Sequence, residues 1–269
     1  MCVIIVKPIG AKLPDKNTLK NCWNNNSNGA GYAIVKDNHI KLRKGFLKFK
    51  RLLQALEQEH ITEDEMVLLH FRTATAGLID AGNTHPFVIT TSNQILRQTE
   101  IDTTRIVVAH NGVLTGLGQD KKLSDTQMFI KQFLADEHIY KALYESPAVQ
   151  RLIGEYITTD KLAFLDYKKG VLLIGEFEKH EGCLYSNGDY KKREKIAFFG
   201  NNNWKEFNYN TVNNNAFGKK VWNDNHQCEY CYEYANDVEW VSEYSAFLCP
   251  KCCVEFDNDM YRTITEGEI

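Results

Sequence analysis

The residue that draws attention first is Cys2, which directly follows Met1. Methionine aminopeptidase removes Met when the next residue is small, so we expect Cys2 to become the N-terminal residue. Its own α-amine, with an ordinary pKa of about 7.7–8.0, can then act as general base for the thiol. The alternative is a cysteine placed by chance on a buried strand, since residues 2–6 (CVIIV) are continuously apolar.

Two further motifs carry polar side chains that could serve a site. Arg72 ends the otherwise apolar segment VLLHFR, where its guanidinium can bind a carboxylate through two parallel N–H···O bonds. The alternative for Arg72 is a surface salt bridge. His85 lies in the polar turn NTHPF, and there we expect a structural hydrogen bond rather than catalysis.

Two candidate hydrogen-bond donors and a carboxylate follow farther along the chain. Asn111 and Gly112 come after the apolar segment RIVVA, and a side-chain N–H₂ beside an unshielded backbone N–H can form an oxyanion hole. The alternative is a simple Asn-Gly turn. In Ser124-Asp125-Thr126, one residue is expected to cap the following amphipathic helix, and Asp125 could face a substrate ammonium group.

The elements that must position these residues form an α+β pattern of antiparallel strands around helical blocks. We predict strands over 2–6, through Val35, over 39–43, 66–72, 105–109, 161–166, 171–175 and 184–186. We predict helices opening at Pro14-Asp15 and over 48–59, 125–135, 137–145 and 147–156. Asp37-Asn38 is predicted to form a hairpin turn.

The order Cys2, HFRTAT, NTHPF, HNG, SDT resembles the glutaminase domain of class II glutamine amidotransferases, which belong to the N-terminal nucleophile hydrolases. The resemblance covers about residues 2–190 and includes the segment KLAFLDYKKGVLLIGEF. It implies a four-layer αββα sandwich with the nucleophile at the start of a central strand.

The resemblance also implies roles for individual residues. Cys2 matches the nucleophile, and Asn111 with Gly112 matches the oxyanion hole. The substrate-binding positions are matched by Arg72 for the glutamine α-carboxylate, its neighbour Thr75, His85 in the glutamine-site loop and Asp125 for the α-ammonium group.

The chain departs from this family at three places. Several synthetase-linked members have an arginine in the turn where this chain has Asn24–Asn28. Thr73 stands where the family often has tryptophan, and Ala76 where a histidine follows the threonine. These differences affect the expected affinity for glutamine and the coupling to a synthetase, but not the nucleophile or the oxyanion hole.

A second module is predicted from its cysteines. Cys228, Cys231, Cys249 and Cys252 fit the C-x₂-C-x₁₅₋₂₀-C-x₂-C pattern of a structural zinc ribbon. Iron of the rubredoxin type or a redox dithiol are the alternatives, and Cys253 is an adjacent spare ligand. Nothing in the pattern supplies an open coordination position, so catalytic zinc is not expected, and neither is an organic cofactor.

Composition gives the domain boundaries. We predict an amidotransferase domain over 1–200, an Asn-rich linker over 201–227 and the zinc-ribbon-like module over 228–269. Residues 201–269 hold 5 Lys and Arg against 12 Asp and Glu, which argues against nucleic acid as a partner. The absence of a signal peptide or a membrane-length apolar run predicts a cytoplasmic protein with no membrane contact.

The expected function is hydrolysis of the glutamine side-chain amide through a Cys2 thioester, giving glutamate and ammonia for a separate acceptor enzyme. Two alternatives remain open from the sequence. One is a stand-alone γ-glutamyl amidohydrolase that needs no partner. The other is a non-catalytic scaffold that keeps the fold for interaction.

Overall fold

A computed structural model of the chain describes residues 2–74, 78–117, 120 and 122–192, and the backbone of four short strands between 226 and 248. The chain divides into two compact units, Met1–Ala197 and Phe198–Ile269. The first unit is α+β, and its strands form antiparallel sheets. Over the described residues, every helix is too short or too polar to cross a bilayer.

The strands are β1 Val3–Lys7, β2 Ala30–Lys36, β3 His39–Phe46, β4 Val67–Phe71, β5 Phe87–Val88, β6 Glu100–Thr103, β7 Val107–Asn111, β8 Lys161–Asp166, β9 Gly170–Ile174, β10 Glu178–His180, β11 Cys183–Tyr185, β12 His226–Gln227, β13 Tyr234–Ala235, β14 Glu239–Val241 and β15 Ala246–Leu248. The helices are α1 Lys16–Asn25, α2 Phe49–Gln58, α3 Asn93–Arg97, α4 Asp125–Phe129, α5 Glu137–Ala142 and α6 Pro147–Ile157.

The larger sheet of the first unit has seven strands in the order β10-β11-β1-β4-β2-β3-β6. Strand β1 lies inside this sheet, paired with β4 on one side and β11 on the other, and all five of its residues are buried. An apolar strand such as VIIVK is stable here because both of its faces are covered. Cys2 directly precedes β1 and is itself buried.

The β2–β3 hairpin confirms the predicted turn. Asp37 and Asn38 both have positive φ, at 50° and 59°, which is the backbone that a two-residue hairpin turn requires. The smaller sheet has four strands in the order β5-β7-β8-β9, and β7 ends at Asn111.

Three apolar clusters hold the first unit together. One lies where the larger sheet packs on α1 and α2, and another where the smaller sheet packs on α3, α4 and α6. The third joins residues of both sheets, namely Ile4, Val6, Ala33, Leu42, Leu68, Val107, Ala109, Ala163 and Leu165 among others. The alternation of side chains along each strand assigns one face to a helix-side cluster and the other to the shared cluster.

The single helix expected over 125–135 has two parts. Helix α4 ends at Phe129, and a π-helical turn, Ile130–Leu134, follows it. The short elements β5, β6, β10 and α3 did not stand out in the sequence because each has two to five residues, too few for a period to show. In the second unit, β12 pairs with β13 and β14 with β15, all antiparallel.

Candidate active site

The Cys2 thiol is held by the chain that leaves β4. The Thr73 amide N–H donates to Sγ at 3.3 Å, and the thiol donates to the Thr73 carbonyl at 3.4 Å. Burial raises the pKa of the Cys2 thiol, while the Thr73 amide and the positive charge of Arg72 act in the opposite direction. The thiol is therefore protonated at neutral pH unless a base takes its proton.

The asparagine-rich turn after α1 supports the segment that contacts the thiol. Thr73 Oγ1 donates to Asn26 Oδ1 at 2.8 Å, and the Ala74 amide donates to Asn28 Oδ1 at 3.0 Å. Asn26 Nδ2 in turn donates to Asp189 Oδ2 at 3.2 Å. This asparagine-rich turn thus fixes the backbone beside Cys2.

Arg72 and Asp125 supply opposite charges near the thiol, since both contribute to its electrostatic environment. Arg72 is 3% exposed, and its Nη1 donates to the Leu78 carbonyl at 2.8 Å. Burial lowers the pKa of Arg72. Asp125 is the first residue of α4 and accepts the Leu114 amide at 2.8 Å through Oδ2.

Ser124, and not Asp125, caps helix α4. Its side chain accepts the Gln127 amide while the Gln127 side chain accepts the Ser124 amide, which is a capping box. The expectation that one residue of Ser124-Asp125-Thr126 caps this helix is confirmed. Because the cap is made by Ser124, the half-buried Asp125 carboxylate is left to other partners.

Ser186 connects the nucleophile strand with the end of β7. Its Oγ accepts the Ile4 amide and one N–H of Asn111 Nδ2, both at 2.9 Å. The Ser186 amide donates back to the Ile4 carbonyl at 3.0 Å, and Asn187 Nδ2 donates to the Cys2 carbonyl at 2.8 Å. The Asn111 Oδ1 atom is buried without a partner among the described residues.

The loop after Asn111 packs on a carboxylate. Asp160 Oδ2 accepts the Val113 amide at 2.9 Å and contacts His110 Nε2 at 3.2 Å. A Cβ atom added to Gly112 would lie 1.9 Å from the Asp160 Cγ, and Gly112 has φ of +155°. Only glycine fits between this carboxylate and the loop.

Three buried histidines form a directed row of hydrogen bonds behind this loop. In a neutral His110 ring whose Nε2 donates to Asp160, Nδ1 accepts the hydroxyl of Thr126 at 3.0 Å, a proton that Asp125 Oδ1 at 3.4 Å can also accept. Thr126 Oγ1 then accepts from His85 Nε2 at 3.2 Å, and His70 Nε2 donates to the His110 carbonyl at 3.0 Å. This assignment leaves lone pairs, not protons, on the two unpartnered atoms His70 Nδ1 and His85 Nδ1.

The pKa values agree with neutral rings at two of these positions. Burial lowers the pKa of His70 to about 3 and also places the pKa of His85 well below its ordinary value. The two rings pack with centroids 4.2 Å apart, so a charge on either would face the other. His85 therefore has the structural hydrogen-bonding environment expected from the sequence.

The described residues bring most of the sequence-predicted site residues to the ends of strands β1, β4 and β7 and the start of α4: Cys2, Arg72, Asn111, Gly112 and Asp125. Thr75 lies outside the described residues. The sequence patterns assigned no role in the site to Asp160, Ser186 or Asn187. A signal existed for Ser186-Asn187, since this polar pair directly follows strand β11.

The predicted zinc ligands Cys228, Cys231, Cys249 and Cys252 lie outside the described residues. Within the residues that the structure describes, His, Cys, Asp and Glu side chains form no group of three or more able to hold a metal ion. Cys22 and Cys183 are buried free thiols.

Neither a scan against protein-family models nor a search of curated proteins gave a match to this sequence.

Proposed function

We propose that this chain is a glutamine amidohydrolase of the N-terminal nucleophile type, with Cys2 as nucleophile after removal of Met1. One observation carries the proposal. Cys2 and Asn111 are 109 positions apart in sequence, and the dipeptide Ser186-Asn187 bonds both to the Cys2–Ile4 backbone and to the Asn111 carboxamide. A nucleophile and an oxyanion donor must be neighbours for acyl transfer.

The proposed fold is a four-layer αββα sandwich. Its support is the distribution of the three apolar clusters, of which one joins the two sheets and the other two join each sheet to helices. This layering would leave the start of β1 and the ends of β4 and β7 at a shared edge between the sheets.

In the proposed mechanism, the Cys2 α-amine takes the thiol proton and the sulfur attacks the side-chain amide carbon of glutamine. The S–C bond forms as the C–O π bond opens, and the oxyanion accepts hydrogen bonds from Asn111 and Gly112. The C–N bond then breaks, and the protonated amine returns a proton to the leaving ammonia. Water hydrolyses the thioester to glutamate.

The charges beside the thiol suit an amino-acid substrate. The Arg72 guanidinium would pair with the α-carboxylate, and the Asp125 carboxylate with the α-ammonium group. Arg72 is already bonded to the Leu78 carbonyl, which orients the guanidinium plane before a ligand arrives. Substrate class would then be set by a zwitterionic end and a terminal amide.

The partner, metal and compartment remain parts of the proposal. Ammonia released in the first unit would go to a separate acceptor enzyme, and a structural zinc would hold the acidic module at 228–269. We propose a cytoplasmic location, where thiols stay reduced.

The test is glutamate release from glutamine by the recombinant protein, with intact-mass analysis of its N-terminus. We expect activity in the wild type, a free Cys2 α-amine, and no detectable activity in Cys2→Ala. Cys183→Ala is the matched control, because that thiol is also buried but bonds to the Lys12 carbonyl, and it should retain turnover. A wild type silent with glutamine, asparagine and γ-glutamyl compounds alike would overturn the proposal.

A further inference from the structure

Around Asn111 and Ser186 the hydrogen-bond donors and acceptors do not balance. Ser186 Oγ has two lone pairs, and these accept the Ile4 amide and Asn111 Nδ2. The hydroxyl proton of Ser186 still needs an acceptor, and none is found among the described residues. The nearby Asn111 Oδ1 is an acceptor without a donor, although it is buried. Two polar groups are therefore unsatisfied within one pair of side chains.

A half-turn of the Asn111 carboxamide gives both the Ser186 hydroxyl proton and Asn111 Oδ1 a partner. The two ends of a carboxamide have nearly the same shape, so hydrogen bonding decides which end faces Ser186. After the turn, the Ser186 hydroxyl donates to Asn111 Oδ1, and the Ile4 amide keeps its acceptor. Of these groups, only Asn111 Nδ2 then lacks a hydrogen-bond partner, and it occupies the position previously held by Oδ1.

We propose that Ser186 is a positioning residue that donates its hydroxyl proton to Asn111 Oδ1 and so turns Asn111 Nδ2 toward the substrate oxygen. This inference rests on the proposed function. An oxygen at that place would repel the developing oxyanion, whereas an N–H₂ stabilises it. The unsatisfied donor of the resting protein finds its acceptor when the tetrahedral intermediate forms.

The surroundings give Ser186 the rigidity that this role needs. Ser186 is 2% exposed, and its backbone N–H donates to the Ile4 carbonyl while the Ile4 amide donates to its Oγ. The next residue, Asn187, bonds to the Cys2 carbonyl. One dipeptide therefore contacts both the nucleophile strand and the proposed oxyanion donor.

The experiment compares Ser186→Ala and Ser186→Thr with the wild type in two reactions at Cys2. One is glutamine hydrolysis, which needs an oxyanion donor. The other is alkylation by iodoacetamide, followed by peptide mass, in which the sulfur displaces iodide and no oxyanion forms. We expect Ser186→Ala to lower kcat at least about 10-fold, with KM and the alkylation rate within about twofold of wild type. Ser186→Thr keeps the hydroxyl and should restore most of kcat.

Three results would overturn the inference. If wild type is active and Ser186→Ala keeps full kcat, Ser186 does not orient Asn111. If Ser186→Ala lowers kcat for hydrolysis and the alkylation rate of Cys2 by the same factor, Ser186 only holds strand β1. If Ser186→Thr is as slow as Ser186→Ala, the hydroxyl is not the group that acts. A wild type without any amidase activity overturns the proposed function itself, and this inference with it.

Two further variants serve as a control and as a replacement for Ser186→Ala. Ser146→Ala removes a hydroxyl that caps α6 by accepting the Val149 amide, and it should leave kcat unchanged. Should Ser186→Ala not fold, Ser186→Cys replaces the hydroxyl by a weaker donor of similar size. Its kcat should fall at an unchanged alkylation rate of Cys2, and an unchanged kcat contradicts the role.

Discussion

Gly112 is the residue at which the candidate site has the least space. The Asp160 carboxyl group lies where a side chain would begin, and the same carboxylate accepts the amide of Val113. The loop is thus fixed by a contact that only the absence of a Cβ permits. An oxyanion donor at Gly112 would be held in place before substrate binds, and this is the condition for electrostatic stabilisation of a transition state.

Gly112→Ala tests this at the residue scale. The added methyl group must displace Asp160 or the loop, because its Cβ would lie 1.9 Å from the Asp160 Cγ. We expect glutamine turnover to fall about 100-fold, comparable to removal of one oxyanion donor. Steady-state kinetics with a urea titration separates this loss from unfolding.

Gly116→Ala is the matched control. Gly116 lies in the same loop and has φ of +79°, but an added Cβ would meet nothing within 4 Å. The Gly116→Ala variant has a strained backbone but no steric clash, so we expect its turnover to lie within about threefold of wild type. Equal losses in both variants would mean that loop strain, and not the Asp160 contact, governs activity.

At the element scale, the Thr126 hydroxyl bonds helix α4 to strand β7. Thr126 in α4 contacts His110 Nδ1 in β7 at 3.0 Å and also His85 Nε2 at 3.2 Å. Removing a partner from such a row destabilises the fold, because an unpaired polar group in a buried place is costly. Helix α4 begins at the capping box of Ser124, which fixes where the first turn, with Asp125 and Thr126, starts.

Thr126→Val keeps the shape of the side chain and removes the hydroxyl. Both histidine nitrogens then lose a partner in a buried environment, so we expect a loss of about 1–3 kcal/mol in the free energy of unfolding. Urea denaturation measures the loss. Thr115→Val, at an exposed position, should change stability by less than about 0.5 kcal/mol. A Thr126→Val protein as stable as wild type would show that this row of hydrogen bonds contributes nothing.

On the scale of the whole molecule, the buried histidines make the stability of the first unit depend on pH. His70 is fully buried, and its pKa is lowered to about 3 in the folded protein. The unfolded chain binds a proton at His70 below about pH 6.5, whereas the folded protein does not. Folding is therefore favoured at neutral pH, and this contribution is lost as the pH falls from about 6.5 toward about 3.

We expect the free energy of unfolding to drop by about 2 kcal/mol for His70 alone between about pH 7 and about pH 5. His85 adds to the loss in the same direction, since burial lowers its pKa as well. Urea titrations at several pH values measure the slope. His70→Gln should reduce this slope, whereas His138→Gln, at an exposed position, should not. An identical slope in His70→Gln would contradict the neutral buried ring.

The sequence alone was enough to predict the α+β class, the long apolar strands, the Asp37-Asn38 turn and a cap among Ser124-Asp125-Thr126. These depend on periodicity, turn chemistry and capping, which are local properties of the chain. The sequence likewise indicated Cys2, Arg72, Asn111, Gly112 and Asp125, because polar residues at strand ends and helix starts stand out against apolar segments.

Only the tertiary structure could reveal the contacts among Ser186, Asn111 and Ile4, the packing of Asp160 on Gly112, and the row of histidines joined by Thr126. Each links residues far apart in sequence, and the register of the strands decides which of them meet. A serine after a short strand, or an aspartate before one, has no periodic signal of its own. Its role follows from the donor or acceptor that the folded chain places beside it.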